Sequence, residues 1–463
     1  MQTVKIRKKR RNFSIIEHLQ SEKNEQKVQT IKGYSNQTIG EVVRIVQEKL
    51  KSPDGTAEEQ EEHKEMIHHA GLGNPVAQEK VKAIIKQIIN EKMLFATNGQ
   101  LQEKMSLSDT VFALTVGAGY IEDLYKAKDV EEVQVNDTRI YVMKDGVAVK
   151  HQRMFDSRED VIRLQERLAL YGRARINEQS PICHTYMFNK SRLTMTQAPF
   201  SAFPTIVIRN FILKDPSLST LVEKETLSEE MMLFLQLIVR YHASIIVAGG
   251  TVTGKTTTLY ALTKEIPEPE RILTLETEFE MSLDERIPNG NIVPFQSVPE
   301  LGITMAKGFI TLLRESPTRI VIGEARGAEA AQGVQAALRG HDTMMCIHSK
   351  YRSMIISDLM DMVKQDGGNH DDNDLRLRIG RAFNIIIFQR FVKVNEYKNR
   401  RVMTEITEVV PHPNGHIEMR PIFLWDSKSN EWRRTGNKLS EEFMEHLMSH
   451  GADPAEFSKM GVY

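Results

Sequence analysis

A glycine-rich run beginning at Gly249 carries the residues best suited to bind phosphate. The segment GGTVTGKT fits the pattern G-x-x-x-x-G-K-[ST], a phosphate cradle in which successive backbone N–H groups face the anion. Lys255 adds a positive charge toward the β- and γ-phosphates, and the Thr256 hydroxyl can ligate Mg²⁺. We therefore predict a nucleoside triphosphate site. Its binding residues would be Gly249, Gly250, Thr251, Val252, Thr253, Gly254, Lys255, Thr256 and Thr257.

The chain on either side of this loop has the elements that must position it. Residues 244–248 (SIIVA) form a short apolar run that predicts a buried strand. A helix is predicted from Lys255 to about residue 265, where Pro267 stops it. The strand–loop–helix order places the positive end of the helix dipole against the β-phosphate.

Three further motifs each place a polar side chain at the end of a predicted strand. LTLETEFEM places Glu276 where a carboxylate can orient the attacking water or hold Mg²⁺ through water. RIVIGEARGAEA has the Walker B form, so Glu324 is expected opposite Lys255 as a second Mg²⁺ ligand. RGHDTMMCIHSK contains His341 and His348, and we predict that His348 senses the γ-phosphate. Because the carboxyl ends of parallel strands meet in one crevice, these groups should lie beside the loop.

Composition and hydrophobic periodicity change several times along the chain and predict its domain organisation. Short apolar strands alternating with helices after the loop indicate an α/β domain with a mostly parallel sheet. A hairpin around Asn414 and Gly415 and a helix from about Ser440 are expected to close it. The predicted parts are a basic arm (1–34) expected to be disordered, a helical extension (35–109), a smaller α+β domain (110–215), a polar linker (216–228) and the α/β domain (229–463).

Overall composition excludes several classes of protein. The formal charge of −1 over 463 residues gives no global attraction to nucleic acid or anionic lipid, although the basic arm could attract such lipid locally. No run of 18 apolar residues is present, so we predict no transmembrane helix. The two cysteines, Cys183 and Cys346, are too few and too far apart for a disulfide framework or a thiolate zinc site, which fits a reducing cytoplasm.

Taken in order, these motifs resemble the secretion-superfamily ATPases, which power type II and type IV secretion, type IV pilus dynamics and Tad pilus assembly. GGTVTGKTTTLY matches that family's Walker A run, and LETEFE stands at its acidic box, so Glu276 and Glu280 match its glutamates. LLRESPTRIVIGEARGAEA matches its Walker B block, and GH followed by CIH matches its histidine box. Upstream, GAGYIEDLY and VEEVQVND match the pattern of its N-terminal domain.

The resemblance implies a hexameric ring of RecA-like P-loop NTPase domains that bind ATP and Mg²⁺ at subunit clefts. In that family, arginines of the N-terminal domain or of a neighbouring subunit neutralise charge on the transferred phosphate. Arg209 in IVIRNF is the best match here, followed by Arg192 and Arg175. The chain would then be an ATP-hydrolysing motor that converts hydrolysis into subunit rotation.

The same resemblance implies the partners and the location. The partners would be other copies of the chain in a homohexamer and an inner-membrane secretion or pilus platform protein. A secreted protein, pilin or DNA–protein complex would be moved indirectly, with no sequence-specific binding of nucleic acid. The protein would be cytoplasmic and peripherally associated with the cytoplasmic membrane. The long helical extension and the lack of a tetra-cysteine zinc motif favour the Tad pilus and conjugation branch.

Two alternatives stay open. Thr277 stands where the family usually has an aspartate, and Val252 and Thr253 replace its commoner small pair, which is compatible with a catalytically weak ATP-binding regulator. The basic arm is compatible with a DNA translocase on a similar core.

Overall fold

A computed structural model of the chain describes residues 37–51, 56–71, 73–96, 105–172, 174–187, 189–210, 215–277, 279, 281–298, 301–396 and 398–463. These residues fall into two compact units, unit 1 from 1–143 and 148–210 and unit 2 from 144–147 and 211–463. The predicted basic arm (1–34) lies outside the described residues.

Helices and strands account for most of the described chain. The helices are α1 (Ile39–Lys51), α2 (Ala57–Gly71), α3 (Pro75–Glu91), α4 (Leu107–Thr115), α5 (Glu122–Lys126), α6 (Arg158–Tyr171), α7 (Leu218–Glu223), α8 (Glu229–Arg240), α9 (Lys255–Thr263), α10 (Leu283–Arg286), α11 (Met305–Leu312), α12 (Glu329–Leu338), α13 (Ile355–Lys364), α14 (Asp372–Ala382), α15 (Glu441–Ser449) and α16 (Pro454–Lys459). The strands are β1 (Glu132–Asn136), β2 (Arg139–Lys144), β3 (Val147–Met154), β4 (Ile182–Tyr186), β5 (Arg192–Thr196), β6 (Thr205–Arg209), β7 (Ile245–Gly249), β8 (Arg271–Glu276), β9 (Asn291–Gln296), β10 (Arg319–Ala325), β11 (Asp342–His348), β12 (Ile385–Asn395), β13 (Lys398–Pro411), β14 (Ile417–Asp426) and β15 (Glu431–Arg434).

Unit 1 combines a group of helices with an antiparallel sheet. Helix α3 begins where the Asn74 side chain accepts a hydrogen bond from the Ala77 backbone N–H at 3.1 Å, which satisfies an otherwise unpaired donor. Its apolar residues recur at helical spacing, and Val81 and Ile85 are buried in one cluster with Val46 of α1. The sheet of this unit has the strand order β3-β2-β1-β6-β5-β4.

Unit 2 is built on a nine-stranded sheet of described strands in the order β15-β14-β13-β12-β7-β11-β10-β8-β9. The six strands from β12 to β9 pair in parallel, and β13, β14 and β15 continue the sheet in antiparallel pairing. Strand β11 therefore lies between β7, which leads into the glycine-rich loop, and β10, which ends near Glu324. This arrangement is the mostly parallel sheet that the sequence predicts.

Helices cover both faces of this sheet. Alternate residues of each central strand point to opposite sides, and apolar side chains on both sides are buried against these helices. In β7, Ile245 and Val247 belong to one buried cluster, and Ile246 and Ala248 belong to the other. Residues of α7, α8, α9, α15 and α16 complete the first cluster, and residues of α11, α12, α13 and α14 complete the second. Continuous burial of β7 explains why its sequence is apolar throughout.

Element boundaries differ from the sequence-based expectations by small amounts. Strand β7 ends one residue later than predicted, and helix α9 ends at Thr263. The hairpin at Asn414 and Gly415 is formed by β13 and β14. Ser440 caps α15 by accepting the Phe443 N–H at 3.2 Å. The span predicted as a linker (216–228) contains α7, whose Leu218 and Leu221 are buried.

Among the described helices, none combines the length and the apolar character that crossing a bilayer requires.

A buried ion pair at the amino-terminal edge of this sheet gives a testable prediction. Arg319 is 1% exposed, and its Nε donates to Glu270 at 2.5 Å while Nη2 donates to the Val239 carbonyl at 3.0 Å. Arg319→Ala should lower the free energy of unfolding by about 3 kcal/mol, because a fully buried side chain is removed and the partly buried Glu270 loses its guanidinium partner. Urea unfolding measures this change. Lys364→Ala, which breaks a surface pair with Asp372, should cost under about 1 kcal/mol, and equal losses in the two variants would contradict the prediction.

Candidate functional site

The glycine-rich loop connects the carboxyl end of β7 directly to the first turn of α9. Gly249 must be glycine, because a Cβ on it would lie 2.4 Å from the Gln389 carbonyl oxygen of β12. Gly254 has φ of +92°, a left-handed backbone that favours glycine, and it immediately precedes Lys255 at the start of α9. The spacing of the two glycines in the motif is thus required by the backbone.

Val252 occupies a strained position within the loop. Its φ is +61°, which is an outlier for a β-branched side chain. Such a conformation costs about 1–3 kcal/mol and persists only where neighbouring groups enforce it. Thr253 contributes one of these constraints, since its hydroxyl donates to the Gly250 carbonyl at 3.0 Å.

Lys255 is buried with only 7% of its surface exposed, and its ammonium group is held by the loop itself. Its Nζ donates to the Gly250 carbonyl oxygen at 2.8 Å and lies 3.4 Å from His348 Nδ1. Burial lowers the pKa of Lys255, since a charged amine loses solvation in this environment. An anion that enters the loop would therefore stabilise the charged form of this amine.

His348 connects Lys255 to Glu324. With Lys255 donating to Nδ1, the ring proton is on Nε2, which contacts Glu324 Oε1. Arg326 Nη2 also pairs with Glu324, at 2.7 Å from Oε2. Burial by itself would raise the pKa of Glu324, but the hydrogen bonds from His348 and Arg326 outweigh it and lower that pKa to about 2. Glu324 is thus an anion at neutral pH.

Strand register explains how these groups come together. His348 and Gln389 lie opposite Gly249 on the two strands that flank β7. On β8, Glu276 is buried, and its Cγ lies 3.0 Å from the position of a Cβ built on Gly323. The structure therefore brings the loop, Glu276, Glu324 and His348 to one edge of the sheet, as the sequence analysis expects.

The other predicted site residues differ from one another in their exposure and their contacts. The side chain of Thr251 is exposed, and those of Thr256 and Thr257 are partly buried in the first turn of α9. Glu276 Oε2 accepts the Met281 N–H at 3.0 Å, and Glu280 lies outside the described residues. The Thr256 hydroxyl and the Glu324 carboxylate are oxygen donors of the kind that Mg²⁺ prefers, so their chemistry fits a magnesium ion.

Arg209, the predicted charge-neutralising residue, ends β6 in unit 1. Its Nε donates to Glu132 Oε2 at 2.9 Å, and the register of β5 and β6 places Arg192 directly opposite it. Two of the three candidate arginines are therefore neighbours on one sheet. Their action on phosphate stays a prediction.

Two of the residues at the loop, Arg326 and Gln389, were not predicted from the sequence as site residues. Arg326 follows Glu324 by two positions and shares, with His348 and Lys350, the lining of a cavity of about 520 Å³ beside Gly250. Gln389 is 1% exposed, and its amide donates to the Thr258 hydroxyl at 2.6 Å. The sequence does contain a sign of Gln389, which interrupts the apolar run IIIFQRFV. A polar side chain in a buried strand needs a hydrogen-bond partner, so its presence there indicates a specific contact.

Comparison with known families decides the affiliation of this chain. The family model described as "Type II/IV secretion system protein" matches residues 134–436, which include β7, the glycine-rich loop, Glu276, Glu324 and His348. The chain belongs to the type II/IV secretion system protein family. The α/β, RecA-like fold expected for this family agrees with the strand order β12-β7-β11-β10-β8.

Individual relatives of this secretion family protein match shorter segments. It is 39% identical over 131 residues to the type II secretion system ATPase E of Vibrio cholerae, covering 28% of this chain and 25% of that protein. It is 41% identical over 112 residues to the type IV secretion system protein PtlH of Bordetella pertussis, covering 23% and 32% of the two chains. The chain thus spans about a quarter to a third of these relatives. The solved Legionella pneumophila ATPase DotB is 20% identical, with 73% of this chain and 84% of that chain covered at a TM-score of 0.49.

The pairing of Glu324 gives a prediction for pH dependence. The folded-state pKa is lowered from 4.5 to about 2, so the stabilisation that Glu324 contributes is present above pH 4.5 and is lost as the pH falls toward 2. The difference in urea midpoint between the wild type and Glu324→Gln should stay constant from pH 6 to 5 and shrink below 4.5. Arg326→Ala removes one partner and should shift this loss to higher pH. A difference that has already vanished at pH 5 would contradict the assignment.

Proposed function

We propose that this secretion family protein is an ATP-hydrolysing motor of a type IV secretion, conjugation or Tad-type pilus machine. The observation that carries the proposal is the convergence of a phosphate-binding loop, a buried lysine, an ionised carboxylate and a histidine at the carboxyl edge of one parallel sheet. This is where ligands of open α/β sheets bind. A phosphate-binding loop, a lysine, a carboxylate and a histidine at this edge of the sheet are groups that suit the transfer of a phosphoryl group to water.

In the proposed mechanism, Lys255 changes partners when nucleotide binds. Its Nζ now donates to the Gly250 carbonyl at 2.8 Å, which is a neutral acceptor. Phosphate oxygens carry full charge and make stronger hydrogen bonds with an ammonium group. ATP would draw Lys255 away from Gly250, while the N–H groups at the start of α9 surround the β-phosphate.

Glu324 is proposed to orient the attacking water. A carboxylate whose pKa is about 2 is a weak proton acceptor at neutral pH, which favours orientation and electrostatic stabilisation over general-base catalysis. Thr256 and Glu324 would hold Mg²⁺, which supplies charge neutralisation on the phosphate oxygens when bound. Once Lys255 turns to phosphate, Nδ1 of His348 no longer receives its hydrogen bond. His348 would then sense the γ-phosphate by donating a ring N–H to a phosphate oxygen.

Glu276 and Arg209 are assigned supporting roles. Glu276 would assist Glu324 in orienting the attacking water and in holding Mg²⁺ through water, and its side chain lies buried against Gly323, one residue before Glu324. Arg209 would neutralise charge on the γ-phosphoryl oxygens, where an added arginine can be worth roughly 10³–10⁵ in rate. Its present partner, Glu132, would have to release it.

The larger assembly is part of the same proposal. The protein would act as a homohexamer, would convert cleft closure on ATP into subunit rotation, and would dock on an inner-membrane secretion or pilus platform protein. It would lie in the cytoplasm at the membrane surface. The names of its relatives, a type II ATPase and a type IV secretion protein, support this class of machine.

Two observations favour the alternative of an ATP-binding regulator with weak hydrolysis. Val252 keeps the loop strained at φ of +61°, and Thr277 replaces the aspartate usual in the acidic box. Such a protein would bind Mg-ATP with normal affinity and release almost no phosphate.

Two substitutions separate binding from hydrolysis. Lys255→Ala should weaken Mg-ATP binding by about 10–100-fold, because it removes a charged donor to phosphate. Glu324→Gln should leave the dissociation constant within about threefold and lower kcat by roughly 10²–10³, because it removes charge that acts on the transition state. Calorimetric titration with a non-hydrolysable ATP analogue and steady-state phosphate release measure the two effects.

Lys264→Ala is the matched control, since Lys264 caps the far end of α9 and pairs with Asp215 at 2.9 Å. It should change neither quantity by more than about twofold. Mg-dependent hydrolysis retained by Lys255→Ala would rule out the loop as the catalytic site, and wild-type binding of Mg-ATP without turnover would select the regulator.

A further inference from the structure

The strained valine of the loop is held by a side chain from a distant part of the chain. Arg401 on β13 donates from Nε to the Val252 carbonyl oxygen at 3.1 Å. A Cβ placed on Gly254 would lie 3.2 Å from Arg401 Cδ, so the same side chain also packs against the glycine that begins α9. Arg401 therefore touches the two loop residues that have positive φ between β7 and α9.

The orientation of Arg401 is itself fixed by its neighbour across the sheet. Arg401 pairs in register with Phe391 of β12, and its guanidinium carbon lies 5.0 Å from the centre of the Phe391 ring. A cation over an aromatic face is held by the ring quadrupole. Because β12 also contacts the loop through Gln389 at Gly249, the β12–β13 hairpin contacts the loop on both sides of its strained segment.

We propose that Arg401 is a positioning residue that holds the phosphate loop in its nucleotide-binding conformation and so allows a valine to occupy a left-handed position at residue 252. The proposal rests on the proposed function only in that the loop binds Mg-ATP. Arg401 acts on phosphate through the loop backbone. Its removal should release the strain at Val252 by letting the loop relax out of the binding conformation.

This role predicts coupling between Arg401 and Val252. A glycine at position 252 adopts the left-handed backbone without strain. Removal of the Arg401 side chain should therefore weaken nucleotide binding less in Val252→Gly than in the wild type. A purely structural arginine would instead weaken binding equally in both backgrounds, because its contribution would not depend on strain at Val252. A double-mutant cycle distinguishes these cases.

The experiment uses the full chain and four proteins: the wild type, Arg401→Gln, Val252→Gly and the double variant. Titration with Mg²⁺ and a non-hydrolysable ATP analogue gives the dissociation constants. Arg401→Gln should weaken binding about tenfold in the wild-type background and less than about threefold in the Val252→Gly background. Circular dichroism and thermal unfolding establish that each variant is folded.

Arg400→Gln is the matched control, because this neighbouring arginine pairs with Glu225 at 2.9 Å and stacks over Trp432. It should leave the dissociation constant within about twofold. Arg401→Lys keeps the charge without the Nε donor and should weaken binding to nearly the same degree as Arg401→Gln, which tests the hydrogen bond if the glutamine variant fails to fold.

Equal weakening by Arg401→Gln in both backgrounds, or no weakening in either, would overturn the proposal. Wild-type binding that Lys255→Ala abolishes, combined with no effect at Arg401, would overturn this inference and leave the proposed function standing. Absence of binding by the wild type would overturn the proposed function itself.

Discussion

The hydrogen-bonded chain from Lys255 through His348 to Glu324 is the interaction on which the site depends. It joins a buried cation to a carboxylate through one imidazole ring, and the Gly250 carbonyl completes the environment of the amine. Lys255 is buried and would be costly to leave without a partner, and the half-buried His348 and Glu324 connect it to an opposite charge in the absence of nucleotide. A triphosphate that replaces the Gly250 carbonyl as the partner of Lys255 would also change the contact of Lys255 with His348. Because His348 contacts Glu324, nucleotide binding at the loop would alter the hydrogen bonding of Glu324.

Parallel strand register makes this chain possible. Gly249, His348 and Gln389 lie side by side at the carboxyl ends of β7, β11 and β12, so side chains far apart in sequence meet within hydrogen-bonding distance. Burial of the sheet on both faces fixes that register, since a shift of one residue would move every apolar side chain to the wrong cluster. The helices on the two faces therefore support the site without contributing most of its groups.

Residues that belong to short motifs could be predicted from the sequence, and residues that act through tertiary pairing could not. Lys255, Glu324 and His348 were predicted because each sits at a fixed offset from a strand or a glycine, and the structure brings them together. Arg401 and Gln389 reach the loop through the pairing of β12 with β7 and β13, which the local sequence pattern does not specify.

Helix α7 was not predicted because its polar residues indicated a linker, whereas Leu218 and Leu221 are buried in the core of unit 2. Arg209 was chosen by resemblance, and its pairing with Glu132 adds a partner that the motif did not reveal.

A crystal structure of the full chain with Mg²⁺ and a non-hydrolysable ATP analogue would show whether Lys255 exchanges the Gly250 carbonyl for phosphate. We expect the β- and γ-phosphates within the loop and Lys255 Nζ on a phosphate oxygen, more than 3.5 Å (roughly the outer limit of a hydrogen bond) from the Gly250 carbonyl oxygen. His348 should then no longer contact Lys255. Nucleotide bound elsewhere, with Lys255 still donating to Gly250, would contradict this expectation.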